Sequence, residues 1–171
     1  MYQVLLRLLD ICMFRAGPQD LPASPWLLKL LFAGYIAVGV LSGRLLGSVS
    51  KAFVEALFDA SLLGLVLFTF LNWHGLRARF VQTYSATLGC GLIINTLALP
   101  LIYGIAAAQA SGGVSIELAL IWLAILGWDI AVLAHILRHA FNITLARGFM
   151  FSVIYIVAYY QLATALFLEA S

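Results

Sequence analysis

The sequence predicts an all-α protein, an integral membrane bundle of five transmembrane helices preceded by an interfacial amphipathic helix. Three observations predict it. Of 171 residues, 64% are apolar and 9% are charged, whereas a soluble domain carries about a quarter charged residues. That leaves too little charge to cover a globule and too much apolar surface to hide inside one. Five stretches are apolar over about 20 residues, the length a helix rising about 1.5 Å per residue needs to cross about 30 Å of hydrocarbon. The unbroken apolar runs, Leu62 to Leu71 and Ser152 to Tyr160, lack the alternation of barrel strands.

The same composition excludes other classes. Nine Lys/Arg against seven Asp/Glu give no basic footprint for a nucleic acid. Cys12 and Cys90 form no pattern that implies a bridge or a metal site, and no cofactor signature is present.

Residues 1–15 are apolar except at Gln3, Arg7, Asp10 and Arg15, and the first three recur at helical spacing along one narrow face. This is the pattern of an amphipathic helix lying in the membrane interface, with Arg7 and Asp10 spaced to pair across its exposed side. A cleaved signal peptide is the competing reading, but two charges interrupt the apolar run and the segment that follows is a poor cleavage context. Pro18, Pro22 and Pro25 make residues 16–25 a stiff, non-helical linker, and Ser24-Pro25 reads as a helix start. The spans then run from Trp26 to Gly43, Ala52 to Asn72, Ser85 to Ala108, Ile116 to Leu137 and Gly148 to Leu168.

Basic residues orient the bundle. With the amino terminus in the cytoplasm, Arg7, Arg15, Lys29, Arg77, Arg79, Arg138 and Arg147 lie inside, and only Arg44 and Lys51 lie outside. The carboxyl terminus, where Glu169 is the charged side chain, is then outside.

Ionisable residues within spans are costly and default to a functional hypothesis. Glu55 and Asp59 lie one helical turn apart on the second span, and Asp129 sits in the inner half of the fourth. With Asn95 and Gln161 they make a candidate intramembrane polar site, read either as a proton or cation relay or as neutral, hydrogen-bonded carboxyls that glue helices together. Glu117 caps the outer end of the fourth span. Arg77, Arg79, Arg138, His139 and Arg147 form a cationic inner surface suited to anionic lipid head groups. A one-helix metal site is spoiled because Asp129 lies about 120° around from His135. Gly39, Gly43 and Gly47 repeat every four residues, as do Ala56, Ala60 and Gly64. Such ridges let helices approach closely, within the bundle or between copies. Pro100 should kink the third span, and Tyr155, Tyr159 and Tyr160 line a cavity or form an aromatic belt. No enzyme signature is present.

Four short strings carry a resemblance: Ala16-Gly17-Pro18-Gln19-Asp20-Leu21-Pro22, Arg79-Phe80-Val81-Gln82-Thr83, Leu99-Pro100-Leu101 and His135-Ile136-Leu137-Arg138-His139-Ala140. In their order along five spans, they make the chain resemble the YIP family of five-span membrane proteins, in particular its small bacterial members. The resemblance implies an inner-membrane location. Eukaryotic relatives bind small GTPases largely through longer amino-terminal regions, and with about 25 residues ahead of the first span that role is not expected here.

The expected function is a non-enzymatic scaffold, assembly factor or lipid-organising partner. Its expected partners are the bilayer, anionic lipids, another membrane protein or a second copy. The alternatives are a small proton- or cation-coupled transporter working through Asp59 and Asp129, and a membrane enzyme acting on a lipid head group with His135 or His139 as base.

Overall fold

The computed structural model describes residues 2–45 and 47–167, so the expected end of the last span at Leu168, and Glu169, lie outside the described residues. Among the described residues six α-helices are present: α1 (Tyr2–Cys12), α2 (Pro25–Arg44), α3 (Val49–Trp73), α4 (Phe80–Ala110), α5 (Ile116–Phe141) and α6 (Leu145–Phe167). No strand occurs among the described residues, and five of the helices are long and apolar enough to cross a membrane. The protein is thus an all-α, multi-pass membrane bundle.

Serine starts three of these helices. Ser24, Ser48 and Ser115 each turn a side-chain oxygen to the amide three residues on, at 3.3, 3.3 and 3.5 Å, which satisfies a donor that a helix start leaves unpaired. Pro25, just inside α2, gives up an amide that would have no helical partner there. The stops share another device, a bond from an amide back to the carbonyl five residues earlier. It runs from Arg15 to Asp10 at 2.8 Å, Leu76 to Leu71 at 2.7 Å, Gly113 to Ala108 at 3.0 Å and Ile143 to Arg138 at 3.1 Å. This closure puts the preceding residue at positive φ. Gly75 and Gly112 meet that demand freely, Asn142 tolerates it, and Phe14 adopts it at φ 62° with its ring edge-on to His135, 5.4 Å between centroids.

α4 and α5 outrun their apolar windows. The expected third span starts at Ser85, whereas the helix begins at Phe80 behind a 3₁₀ turn at Arg77–Arg79. The expected fourth span ends at Leu137, whereas the helix continues to Phe141. Polar side chains end a hydropathy window without ending a helix.

The helices do not pack in chain order. α2 lies between α3 and α4, α4 between α2 and α5, and α5 against α6, while α3 and α6 touch only slightly. Small residues decide the closest of these approaches. A Cβ on Gly39 would stand 2.9 Å from the Ala56 Cβ, and one on Gly43 would stand 2.7 Å from the Ala52 Cβ, so two glycines of α2 seat two alanines of α3. Gly64 faces the ring of Tyr84, whose hydroxyl donates to the Ala60 carbonyl at 2.7 Å. Gly47 lies beyond the end of α2, and among the described residues a Cβ on it would meet only the Gly43 carbonyl, at 3.9 Å.

α1 docks on α4 and α5. Leu8, Ile11 and Cys12 are buried, and Leu8 occupies the space that a side chain on Gly89 would fill. The Cys90 thiol donates to the Leu8 carbonyl at 3.7 Å, and Trp128 Nε1 donates to the Cys12 carbonyl at 3.0 Å. Arg7 is exposed and Asp10 half-buried, and no ion pair joins them among the described residues.

Candidate functional site

The seating of Gly39 and Gly43 on Ala56 and Ala52 fixes what surrounds Asp59. One turn before Gly39 on the same face of α2 stands Tyr35. Its ring lies against Gly91 of α4, where a Cβ would come within 2.7 Å of it, so a third small residue holds the tyrosine in place. The Tyr35 hydroxyl donates to Asp59 Oδ2. From the other side Tyr155 of α6 donates to Asp59 Oδ1 at 3.0 Å. The Asp59 carboxyl therefore ties α2, α3 and α6 together by accepting two phenols, the acceptor role a carboxylate is built for.

Above this knot a cleft of about 200 Å³ opens, lined by Tyr35, Ser42, Glu55, Asp59, Asn95 and Tyr159 together with the small residues of the α2–α3 seam. Glu55 pairs with Lys51 at 4.0 Å, one turn back on α3. The Ser42 hydroxyl is spent on the Val38 carbonyl at 2.9 Å. Asn95 adds a carboxamide with no hydrogen bond to any described residue. Tyr159 stacks on Tyr155 and on Phe58, with ring centroids 6.5 and 6.3 Å apart.

Of the five residues expected to form an intramembrane polar site, Glu55, Asp59 and Asn95 share this cleft. Asp129 does not line it. That carboxyl lies within electrostatic reach of Asp59 and of Cys90 and makes no hydrogen bond to a described residue. Gln161 is exposed on α6, away from the cleft, and its backbone carbonyl accepts the Thr164 hydroxyl at 2.9 Å. Sequence reasoning missed Tyr35. The signal was present, because Tyr35, Gly39 and Gly43 fall every four residues, and the ridge that brings α3 close carries a phenol at its end.

A second cavity, apolar and larger at about 330 Å³, follows the loose seam between α3 and α6 with α5 behind it. Val66, Leu67, Phe70, Leu137, Phe151 and Ile154 are among its walls, His74 stands near one end, and past Tyr155 the lining runs on to Ala158 and Leu162. Aromatic rings frame the His74 end, where Phe70 meets Phe141 at 6.4 Å and Phe151 at 6.1 Å.

The basic residues gather at that same end of the bundle, with different tasks. Arg77 lies over the Phe68 ring, 5.3 Å from its centroid. Arg79 is drawn inward, its Nη1 donating to the His139 and Ala140 carbonyls at 3.3 and 3.1 Å. Arg138 and Arg147 are exposed, and His139 is half-buried with its ring 4.6 Å from that of His135. No group of three His, Cys, Asp or Glu able to hold a metal ion occurs among the described residues. Compared with known proteins, the chain matches no family, no curated protein and no solved structure.

Proposed function

We propose that this chain is a non-enzymatic protein of the bacterial inner membrane that engages lipid, organising lipid or a neighbouring membrane protein around its basic end. On this reading it is a small YIP-type protein with its amino terminus in the cytoplasm, and the seven-to-two excess of basic residues on one side supports that orientation. The observation that carries the reading is the apolar groove between α3, α5 and α6. At about 330 Å³ it is in the size range of a ligand site, and its apolar walls suit a hydrocarbon chain. A photoactivatable phospholipid should label α3 and α6 along this seam, and Ala158→Trp, which fills the groove from its wall, should remove that label. Labelling spread evenly over the exposed surface of all the helices would refute the reading.

One observation favours a second reading, a small proton- or cation-coupled permeation protein. Glu55, Asp59 and Asn95 share one cleft, and the Asp59 carboxyl lies at its base between two phenols. Against it stands the position of Asp129 outside that cleft, so the two carboxyls line no common path. Reconstituted vesicles decide between the two. A pH-dependent flux that Asp59→Asn abolishes establishes permeation, and no flux at any pH removes it.

A further inference from the structure

Three of the strings singled out in the sequence, 16–22, 79–83 and 135–140, lie far apart along the chain and meet at the basic end of the bundle. The Gln82 amide donates to the Gln19 and Leu21 carbonyls at 3.3 and 2.8 Å, and His135 Nε2 stands 2.9 Å from the Ala16 carbonyl. Together with Arg79 on the carbonyls of residues 139 and 140, these bonds clamp the linker and the ends of α4 and α5 around a polar cup of about 230 Å³. Arg79, Gln82, Thr83, His139 and Asn142 line it.

We propose that this cup binds an anionic phosphate group. The cup is lined by donors. A single nitrogen of Arg79 serves both α5 carbonyls, so Nε and Nη2 carry no bond to a described residue, and α5 holds the guanidinium fixed. His139 and Asn142 offer ring and amide N–H groups. The cup sits between the start of α4, the positive end of a 31-residue helix, and the carboxyl end of α5, whose carbonyls at residues 139 and 140 are taken up by Arg79. Asp20 is within electrostatic reach of His139, and its carboxylate is turned to the Gly17 amide, which donates to it at 2.8 Å. The second observation is Thr83. It is 1% exposed, it lines the cup, and its hydroxyl has no hydrogen-bond partner. A buried polar group without a partner is costly, and a phosphate oxygen in the cup would supply the missing acceptor. The cup lies on a different side of α5 from the apolar groove, since Leu137 and Phe141 line the groove while His139 and Asn142 line the cup. The inference therefore stands whether or not the groove holds lipid.

The phosphate could belong to an anionic lipid head group or to a free phosphorylated solute, and two arms distinguish them. In a phosphate-free maltoside detergent, the unfolding temperature of the full chain is followed against inorganic phosphate, with chloride at matched ionic strength as the reference. In nanodiscs, native mass spectrometry counts phosphatidylglycerol retained in competition with phosphatidylcholine. A lipid site gives selective retention and little response to phosphate, and a solute site gives the reverse. In either case Thr83→Val and Arg79→Lys should each weaken the responding signal by about tenfold, the loss of one charge-assisted hydrogen bond. Thr83→Val keeps the shape and removes only an unpaired hydroxyl, so it should leave ligand-free stability unchanged or raised. Where Arg79→Lys fails to fold, His139→Gln takes its place. The proposal is overturned when neither arm responds, or when the response stays within about twofold of wild type in variants with wild-type unfolding temperature.

Discussion

Gly43→Ala adds one methyl group at the point where α2 and α3 come closest, and the structure sets what that methyl meets. Its carbon would stand 2.7 Å from the Ala52 Cβ and 3.3 Å from the Ala52 Cα. Ordinary contact between carbons is about 3.5–4.0 Å, so the two helices must separate by the better part of an ångström. Neither wall has a long side chain to swing aside, and overpacking of this kind costs about 1–3 kcal/mol. The reciprocal change, Ala52→Gly, removes the opposing methyl. Alone it costs about 1 kcal/mol for glycine inside a helix, but combined with Gly43→Ala it restores the gap. The double variant should therefore be more stable than the sum of the two single changes by about 1–2 kcal/mol, a coupling found only between groups in contact. Equilibrium unfolding in mixed micelles measures each corner of the cycle. Gly47→Ala, at a site with no opposing helix, is the control and should be silent. A Gly43→Ala variant as stable as wild type would refute the reasoning, and so would a coupling below about 0.5 kcal/mol, the scatter expected of independent sites.

Two further predictions come from buried pairs. Asp59→Ala leaves the Tyr35 hydroxyl without its acceptor and the Tyr155 hydroxyl with only the residue 59 backbone carbonyl, 3.4 Å away, and should cost about 2–3 kcal/mol in the same unfolding assay, whereas Asp59→Asn keeps one side-chain acceptor oxygen and should cost about half as much. The thiols of Cys12 and Cys90 lie side by side, within hydrogen-bond reach of one another. Mild oxidation should therefore join the two within one chain, read as a loss of two hydrogens by mass on the intact protein, about 2 Da; Trp128→Phe, which frees the Cys12 carbonyl from its donor, should slow that closure.

The spans were legible because a membrane helix is specified by length and hydropathy within one segment, and both can be read in a window. Their ends were less legible where chemistry and hydropathy part. Arg79, Gln82 and Thr83 lower the local average, so the apolar window opens at Ser85, yet none of them breaks a helix and α4 includes Phe80 onward. The Gly39 and Gly43 ridge was visible as a spacing, but nothing local says that its partner is the Ala52 and Ala56 face of α3. The candidate site divides along the same line. Glu55, Asp59, Asn95, Asp129 and Gln161 carry one signal, polarity inside a span, and that signal holds no information about which helices are neighbours. α2 lying between α3 and α4 brings Asn95 to Asp59, while Gln161, six residues beyond Tyr155 on the same helix, points elsewhere. The basic surface was read as one class of lipid contact. The bundle divides it into an arginine over a ring, an arginine bound to carbonyls, and two that are exposed, because Arg79 follows the start of α4 inward to the end of α5.

The polar ties between helices are unevenly placed, and their placement explains where the bundle is open. The linker, α1, α4 and α5 are joined by Gln82, Arg79, His135 and Trp128, each bonded to a backbone carbonyl of another element. α3 is joined to α2 through Asp59 and to α4 through the Tyr84 hydroxyl on Ala60. α6 packs along α5, where Gly148 lies against the Ala134 carbonyl, but among the described residues its hydrogen bonds to another helix all run from Tyr155 to Asp59. The seam between α3 and α6 is therefore pinned by polar contacts at one level and left to apolar side chains from there to His74. In lipid, apolar side chains gain little by meeting each other rather than an acyl chain, because both surroundings are equally apolar. A seam held in this way has no strong reason to close away from its pin, and the groove runs along it from the ring cluster of Phe70, Phe141 and Phe151 past Tyr155 to Ala158 and Leu162.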